Sequence, residues 1–362
     1  MFLLLIFPSV AQECAYQKPK VHFYMPDENH FFWDNMSRFM QHAANSLGID
    51  LTVKVIPKAD RNRFTASIAT EKYLLSGTKP DYLISYLWLG GEDRILQVAD
   101  KLNVPLITLN SNLSDDIIKK TGFPRQKYKN WLAHIEPDDF IAGYQLSKSL
   151  LKQQRKVNSA AANIVIVSGS HDSSAHKMRS FGLNANIEQH PEHQILQYIY
   201  TDWSADDAEQ KSIAVLKRFN DIDVIWAASD NLAYGINRAI KKATPERLTN
   251  IILGSIDWSP EVLPLIKKGE VTLSLGGHFL DGSWALVLLF DHFNGFDFIE
   301  RSELVINTQL SVINKNNVER MQRLINPPEK VKYDFTYLSR CFNNNISDYQ
   351  FDGRAFFNRS EH

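Results

Sequence analysis

Two periodicities alternate along the chain. Short runs rich in Val, Ile, Leu, Phe and Tyr are separated by stretches in which apolar residues recur every three or four positions. Near-continuous apolar runs suit strands buried on both faces, and the longer period suits amphipathic helices packed over them. The first run, residues 20–25 (KVHFYM), precedes Phe32, Met36, Phe39, Met40, Ala43 and Leu47 at helical spacing, with Gly48 as the stop. Strands at 51–56, 82–87 and 105–109 then alternate with helices at 63–75 and 93–102. The rhythm restarts with strands at 133–135, 164–168, 195–200, 224–228, 251–256 and 271–275. Helices are expected between and around them at 138–151, 175–188, 205–219, 232–241, 260–267 and 284–293. Two more strands are expected at 304–306 and 310–313 and a helix at 318–324, before a polar, Asn/Arg-rich tail from Asn326. This is an α/β pattern of two doubly wound parallel-sheet lobes. Ligands of such sheets bind at the carboxyl ends of the strands, so the cleft between two facing lobes is the natural site.

Charge and cysteine content narrow the class. The 362 residues carry 40 Lys+Arg against 41 Asp+Glu, which gives no basic footprint for nucleic acid. Two cysteines, Cys14 and Cys341, are too few for a zinc ribbon or an iron–sulfur site. Residues 1–11 form an apolar run ending in Ser9-Val10-Ala11, a small-x-small pattern suited to signal peptidase, although no Lys or Arg precedes it. The competing interpretation is a buried strand or short core helix. No later run is long enough to cross a membrane, so an exported, periplasmic protein without membrane insertion is expected.

Catalytic and cofactor signatures are missing. The chain has no G-x-G-x-x-G between strand and helix, no G-x-x-x-x-G-K-[ST], no G-x-S-x-G and no H-E-x-x-H. Ser168-Gly169-Ser170-His171-Asp172 sets Ser, His and Asp side by side, whereas triad partners meet by folding, so this corner reads as a polar loop. The expectation is a binding protein rather than an enzyme, with no cofactor and no metal. Two alternatives stay open: the ligand-binding core of a repressor-like regulator, and an exported α/β hydrolase.

Four segments carry a resemblance. Asn29-His30-Phe31-Phe32-Trp33, Val104 to Asn110 (VPLITLN), Ala228 to Gly235 (ASDNLAYG) and Leu253 to Asp257 (LGSID) resemble, in order, the ligand loops of type I periplasmic binding proteins. The match to the ribose-type branch covers about 20–324, and Trp33 and Asn110 look more like the LuxP-like autoinducer-2 receptors. The resemblance implies two lobes joined by three hinge crossovers and closing on a small polyhydroxylated ligand, which is handed to an ABC permease or a membrane sensor kinase. With the apolar leader and the polar tail read above, the expected division is a signal peptide (1–11), an N-terminal lobe (18–134 plus 278–307), a C-terminal lobe (135–277 plus 308–325) and a tail (326–362).

A sugar-like ligand needs flat apolar groups for its C–H faces and polar groups for its hydroxyls. Trp33 is expected to face the ligand, with Phe32 in or near the core and Asn29 in the loop before them. Asn110 ends a strand where the ribose-type pattern carries an Asp-Arg pair, which replaces an ionic clamp by an amide. Lys177 and Arg179 compete for the binding position opening one helix, and Arg179, with its planar fork, is the preferred one. Trp203 would stack from the second lobe. Ser229, Asp230 and Asp257 end strands and face the alternative of helix capping. His278 follows Gly276-Gly277, which read as hinge, and is a further candidate. In an oxidising compartment Cys14 and Cys341 are expected to pair, with Tyr333, Phe335, Tyr337 and Leu338 anchoring the tail.

Overall fold

The computed structural model describes residues 18–27, 30–57, 60, 65–77, 79–87, 91–157, 160–243, 251–298, 304–328 and 331–359. Five strands of the first half, β1 (Lys20–Met25), β2 (Asp50–Val55), β3 (Tyr82–Tyr86), β4 (Leu106–Leu109) and β5 (Trp131–Pro137), lie in one sheet. The later β11 (Val305–Thr308) completes it, in the order β11-β5-β4-β3-β1-β2, and every pairing is parallel. The second sheet takes β6 (Asn163–Ser168), β7 (Gln194–Tyr200), β8 (Val224–Ala227), β9 (Ile252–Asp257), β10 (Leu273–Gly276) and β12 (Ser311–Asn314), in the order β12-β10-β9-β8-β6-β7. Here β12 runs antiparallel to β10. The chain enters the second lobe directly from the end of β11, on the cleft side, so β12 runs against strands that finish there. Two intervening residues leave no room for a crossover helix.

The helices follow the apolar spacing. In the first half these are α1 (Phe31–Leu47), α2 (Ala66–Ser76), α3 (Glu92–Leu102) and α4 (Asp115–Thr121). Helix α5 (Asp139–Val157) then leads into α6 (Ser174–Glu188), α7 (Ala205–Arg218), α8 (Asp230–Ala243) and α9 (Leu263–Lys268). The set closes with α10 (Asp281–Phe293), α11 (Val318–Ile325) and α12 (Gly353–Arg359). The short α4 was not legible as a periodic stretch, because only Ile117 and Thr121 of its seven residues are buried. Its definition comes from polar signals: Ser114 caps it by accepting from the Ile117 N–H, Asp115 and Asp116 open it, and Lys119 and Lys120 close it.

The chain changes sheets three times, after Pro137, after Gly276 and after Thr308. These are the three hinge crossovers of a two-lobed clamp. The expected lobe boundaries at 134 and 307 fall inside β5 and β11, which continue to Pro137 and Thr308 before leaving the first sheet.

The polar tail is not a loose appendage. Tyr333, Phe335, Leu338, Phe356 and Phe357 are buried among Phe39, Phe279 and Trp284 of the first lobe, while Tyr337 is only partly covered. Asp291 of α10 gathers the tail: it accepts from Ser339 Oγ (2.5 Å), Arg340 N (2.7 Å), Cys341 N (3.2 Å) and Tyr349 Oη (2.7 Å). Cys341 is buried and disulfide-bonded; Cys14 lies outside the described residues, as do 1–11. Among the described residues no helix is long and apolar enough to cross a membrane, and no cluster of three metal-ligating side chains occurs.

Candidate functional site

Apart from the antiparallel β12, the strands of both sheets deliver their carboxyl ends to the cleft, and the cluster there is organised around Arg179. Helices α5 and α6 touch backbone to backbone because Gly143 faces the Arg179 carbonyl and Gly182 faces that of Phe140. A Cβ on either glycine would lie 1.9 Å from the carbonyl oxygen. That approach aims Arg179 inward, where it is 4% exposed. Its Nε donates to Asp139 Oδ1 (2.7 Å), and Nη1 donates to the Ala228 carbonyl (2.6 Å) and to Asp257 Oδ1 (3.4 Å). Nη2 lies 3.3 Å from His278 Nε2. Asp139 follows β5, Ala228 follows β8, Asp257 ends β9 and His278 follows β10, so one guanidinium ties the first and second crossovers to the second sheet. Burial opposes the charge of Arg179, but Asp139 and Asp257 outweigh it and hold its pKa above the ordinary arginine value.

The aromatic wall comes from the first lobe. Phe32 stacks on His278 with centroids 4.7 Å apart, and Trp33 sets its edge against Phe32 (5.0 Å) and Tyr86 (5.9 Å). Both Phe32 and Trp33 are buried, so Trp33 belongs to the wall rather than overhanging an open cleft. Tyr86 ends β3, and burial raises its pKa. Phe31 meets Tyr234 of the opposite lobe edge-on at 5.5 Å, and Asn112 N donates to Ser174 Oγ across the cleft at 3.1 Å. The lobes are therefore in contact.

The other candidates divide. Asn110 has φ 62°, and its Oδ1 is buried without a partner among the described residues. Trp203 has φ 71° and lies across Gly169 at the end of β6, with its carbonyl accepting from Asn231 Nδ2 (2.7 Å). Asp257 and Trp258 have φ 137° and 63°. Such backbone is uncommon for non-glycine residues and costs about 1–3 kcal/mol each. Here it collects at the ends of β4, β7 and β9. Ser229 takes the capping role, accepting from Leu232 N (3.3 Å). Asp230 neither caps α8 nor opens to the cleft. Its oxygens accept from Ser255 Oγ (2.5 Å), Ser274 Oγ (2.7 Å) and Ser259 N (2.6 Å). Lys177 is exposed and points to a side cavity, while Arg179 enters the cluster. Asn29 lies outside the described residues. Sequence reasoning missed His30, Tyr86, Asp139 and Asp281, although Tyr86 ends a strand and Asp139 begins a crossover, which is the signal that would have found them.

Burial, then the neighbouring Asp257 charge, pushes the Asp230 pKa well above the carboxylate range. A group raised in the folded state contributes stability that is full below its unfolded pKa and is lost as pH rises toward the folded one. The expected result is that Asp230→Asn gains melting temperature relative to wild type as pH rises from 5 to 8. A constant difference across that range would show that Asp230 is ionised throughout.

A family model described as periplasmic binding protein domain matches residues 21–295, and the chain belongs to that family. It is 20% identical over 263 residues to the D-allose-binding periplasmic protein of Escherichia coli, covering 72% of this chain and 80% of that protein. It is 21% identical over 235 residues to the galactofuranose-binding protein YtfQ of the same organism, covering 64% and 69% respectively. Among solved structures, a periplasmic sugar-binding protein from Pseudomonas fluorescens superposes with TM-score 0.80 at 25% identity, covering 93% of this chain and 99% of that one. The D-allose-bound solute-binding protein of Actinobacillus succinogenes superposes at 0.72 with 19% identity, covering 84% and 100%. These relatives are binding proteins, not enzymes.

Proposed function

We propose that this chain is an exported solute-binding protein that closes on a small, neutral, polyhydroxylated ligand and presents it to an ABC permease. One observation carries the reading. At the cleft, His30 Nδ1, Asn110 Oδ1, Asp139 Oδ2, His278 Nδ1 and Asp281 Oδ1 are buried and have no hydrogen-bond partner among the described residues. Each such atom costs about 1–3 kcal/mol unless something polar answers it. A molecule with several hydroxyls both donates and accepts, and can answer acceptors and imidazole nitrogens together. The wall of Phe32, Trp33 and Tyr86 supplies flat apolar area for its C–H faces. Relatives named for D-allose and galactofuranose binding are in keeping with this chemistry.

The charge of the site narrows the ligand further. Arg179 faces both Asp139 and Asp257. Burial moves Asp281 toward its neutral form and His30 toward the neutral imidazole. The cluster therefore has no spare positive charge for an acid. By calorimetry, a neutral sugar is expected to bind at least tenfold more tightly than its uronic acid; the reverse order would overturn the reading. Closure is tested by small-angle scattering, where saturating sugar is expected to reduce the radius of gyration, and an unchanged radius would sink the clamp. The finer placement, ribose-type or LuxP-like, rests on Trp33 and Asn110.

A further inference from the structure

Beside the Arg179 cluster, between α4, the start of α5 and the start of α6, lies an open cavity of about 670 Å³. It is not a separate surface dent, because Asp139 belongs to both. Asp139 Oδ1 takes Arg179 Nε, whereas Asp139 Oδ2 has no partner among the described residues, and Asp139 lines the cavity while only 1% exposed. Asn112 repeats the arrangement: its Nδ2 donates to the Pro137 carbonyl (3.0 Å) and its Oδ1 is buried and unpartnered. Two buried acceptors thus belong to residues of this cavity's wall, and one of them, on Asp139, is shared with the cluster.

The walls match the needs of a sugar ring a second time. Phe140 and Phe181, brought together by the glycine contacts of α5 and α6, supply aromatic faces, and Phe181 remains 58% exposed. An exposed phenylalanine on a cavity wall is apolar area that a bound C–H face can cover. Glu136, Asp138, Asp116 and Asp139 outnumber Lys177, the one basic side chain on this wall, so the cavity disfavours an anionic occupant.

Resting on the sugar-binding reading above, we infer that the ligand has two sugar units: one ring at the Arg179 cluster and a second, neutral ring in this side cavity, with Asp139 Oδ2 at the junction. A cavity of this size falls within the range of about 300–1,000 Å³ typical of small-molecule sites, ample for one sugar ring.

The test is calorimetry with matched probes: D-galactose against lactose and melibiose, D-glucose against maltose and trehalose, and L-arabinose against its 1,5-linked disaccharide. At least one disaccharide is expected to bind tenfold or more tightly than its own monosaccharide. Asn307→Trp, which fills the cavity from the exposed β11 position, is expected to remove that gain and leave monosaccharide affinity within twofold. Phe181→Ala is expected to reduce the gain without filling anything. If a monosaccharide binds and none of its disaccharides binds more tightly, the two-unit inference falls and the sugar-binding function stands. A disaccharide gain that survives both variants overturns it as well. If no probe of either size binds, the sugar-binding reading falls with it.

Discussion

Replacing Arg179 with methionine is expected to abolish ligand binding and to lower the melting temperature together. The guanidinium is not a free hand extended to the ligand; it already serves Asp139, Asp257, the Ala228 carbonyl and His278. Its loss leaves two nearly inaccessible carboxylates, Asp139 and Asp257, without their shared cation. Breaking a buried pair from one side typically costs about 3–5 kcal/mol. For a lobe of this size that corresponds to a fall of about 6–20 °C. Arg179→Lys is expected to recover little, since an ammonium is a point charge and cannot reach acceptors arranged around a planar fork. The double variant Arg179→Met with Asp139→Leu removes the stranded charge nearest Nε and is expected to regain several degrees of melting temperature but no binding. If Arg179→Met melts like wild type and only affinity falls, Arg179 is a simple ligand donor and the cluster does not hold the crossovers.

Much of the fold was legible because most strands are short runs rich in apolar residues, and helices such as α1 and α7 have a clear apolar stripe. β1 matches its expected range, and the helices with wide buried faces differ at their ends by a few residues. What failed locally has local causes. Helix α4 has too few buried positions to show a period, and β12 looks like any strand until its entry from the cleft side sets its direction. The site was legible as a set of strand ends: Asn110, Asp257 and His278 all sit where doubly wound sheets place ligands. Their division of labour was not. Asp230 is engaged by serines 25 and 44 positions away in sequence. Only the pairing of β8 with β9 and of β9 with β10 reveals that encounter. The two alternatives for the α6 opening, Lys177 and Arg179, are two residues apart, so on a helix they point in different directions. One enters the buried cluster and the other lines the cavity.

Ending the chain at Asn345 is expected to prevent stable folding, although the segment removed looks like a dispensable polar tail. The deletion takes away Phe356 and Phe357, which are 1% and 0% exposed and pack on Phe39, Phe279, Trp284 and Phe335. It also removes Tyr349 from the donors that satisfy buried Asp291. Truncating a buried phenylalanine costs about 3–5 kcal/mol. Two of them approach the whole stability of a typical domain, about 5–15 kcal/mol. Phe357→Ala alone is expected to fold with a melting temperature lowered by about 6–20 °C. The tail has a second fastening in Cys341, which is disulfide-bonded. We propose Cys14, the chain's other cysteine, as its partner. A bridge closing so long a loop could contribute roughly 5 kcal/mol in the chain-entropy model. Non-reducing peptide mapping is expected to recover the two cysteine peptides as one linked species, and recovery of Cys14 as an alkylatable thiol would exclude the bridge. Thermal unfolding followed by circular dichroism separates the two fastenings. Full-length protein in reductant is expected to melt lower but cooperatively, because the aromatic contacts remain, whereas the chain ending at Asn345 is expected to lack a cooperative transition. If that shortened chain melts within about 5 °C of the full-length protein, less than 3 kcal/mol by the same conversion, the aromatic layer is not what completes the first lobe.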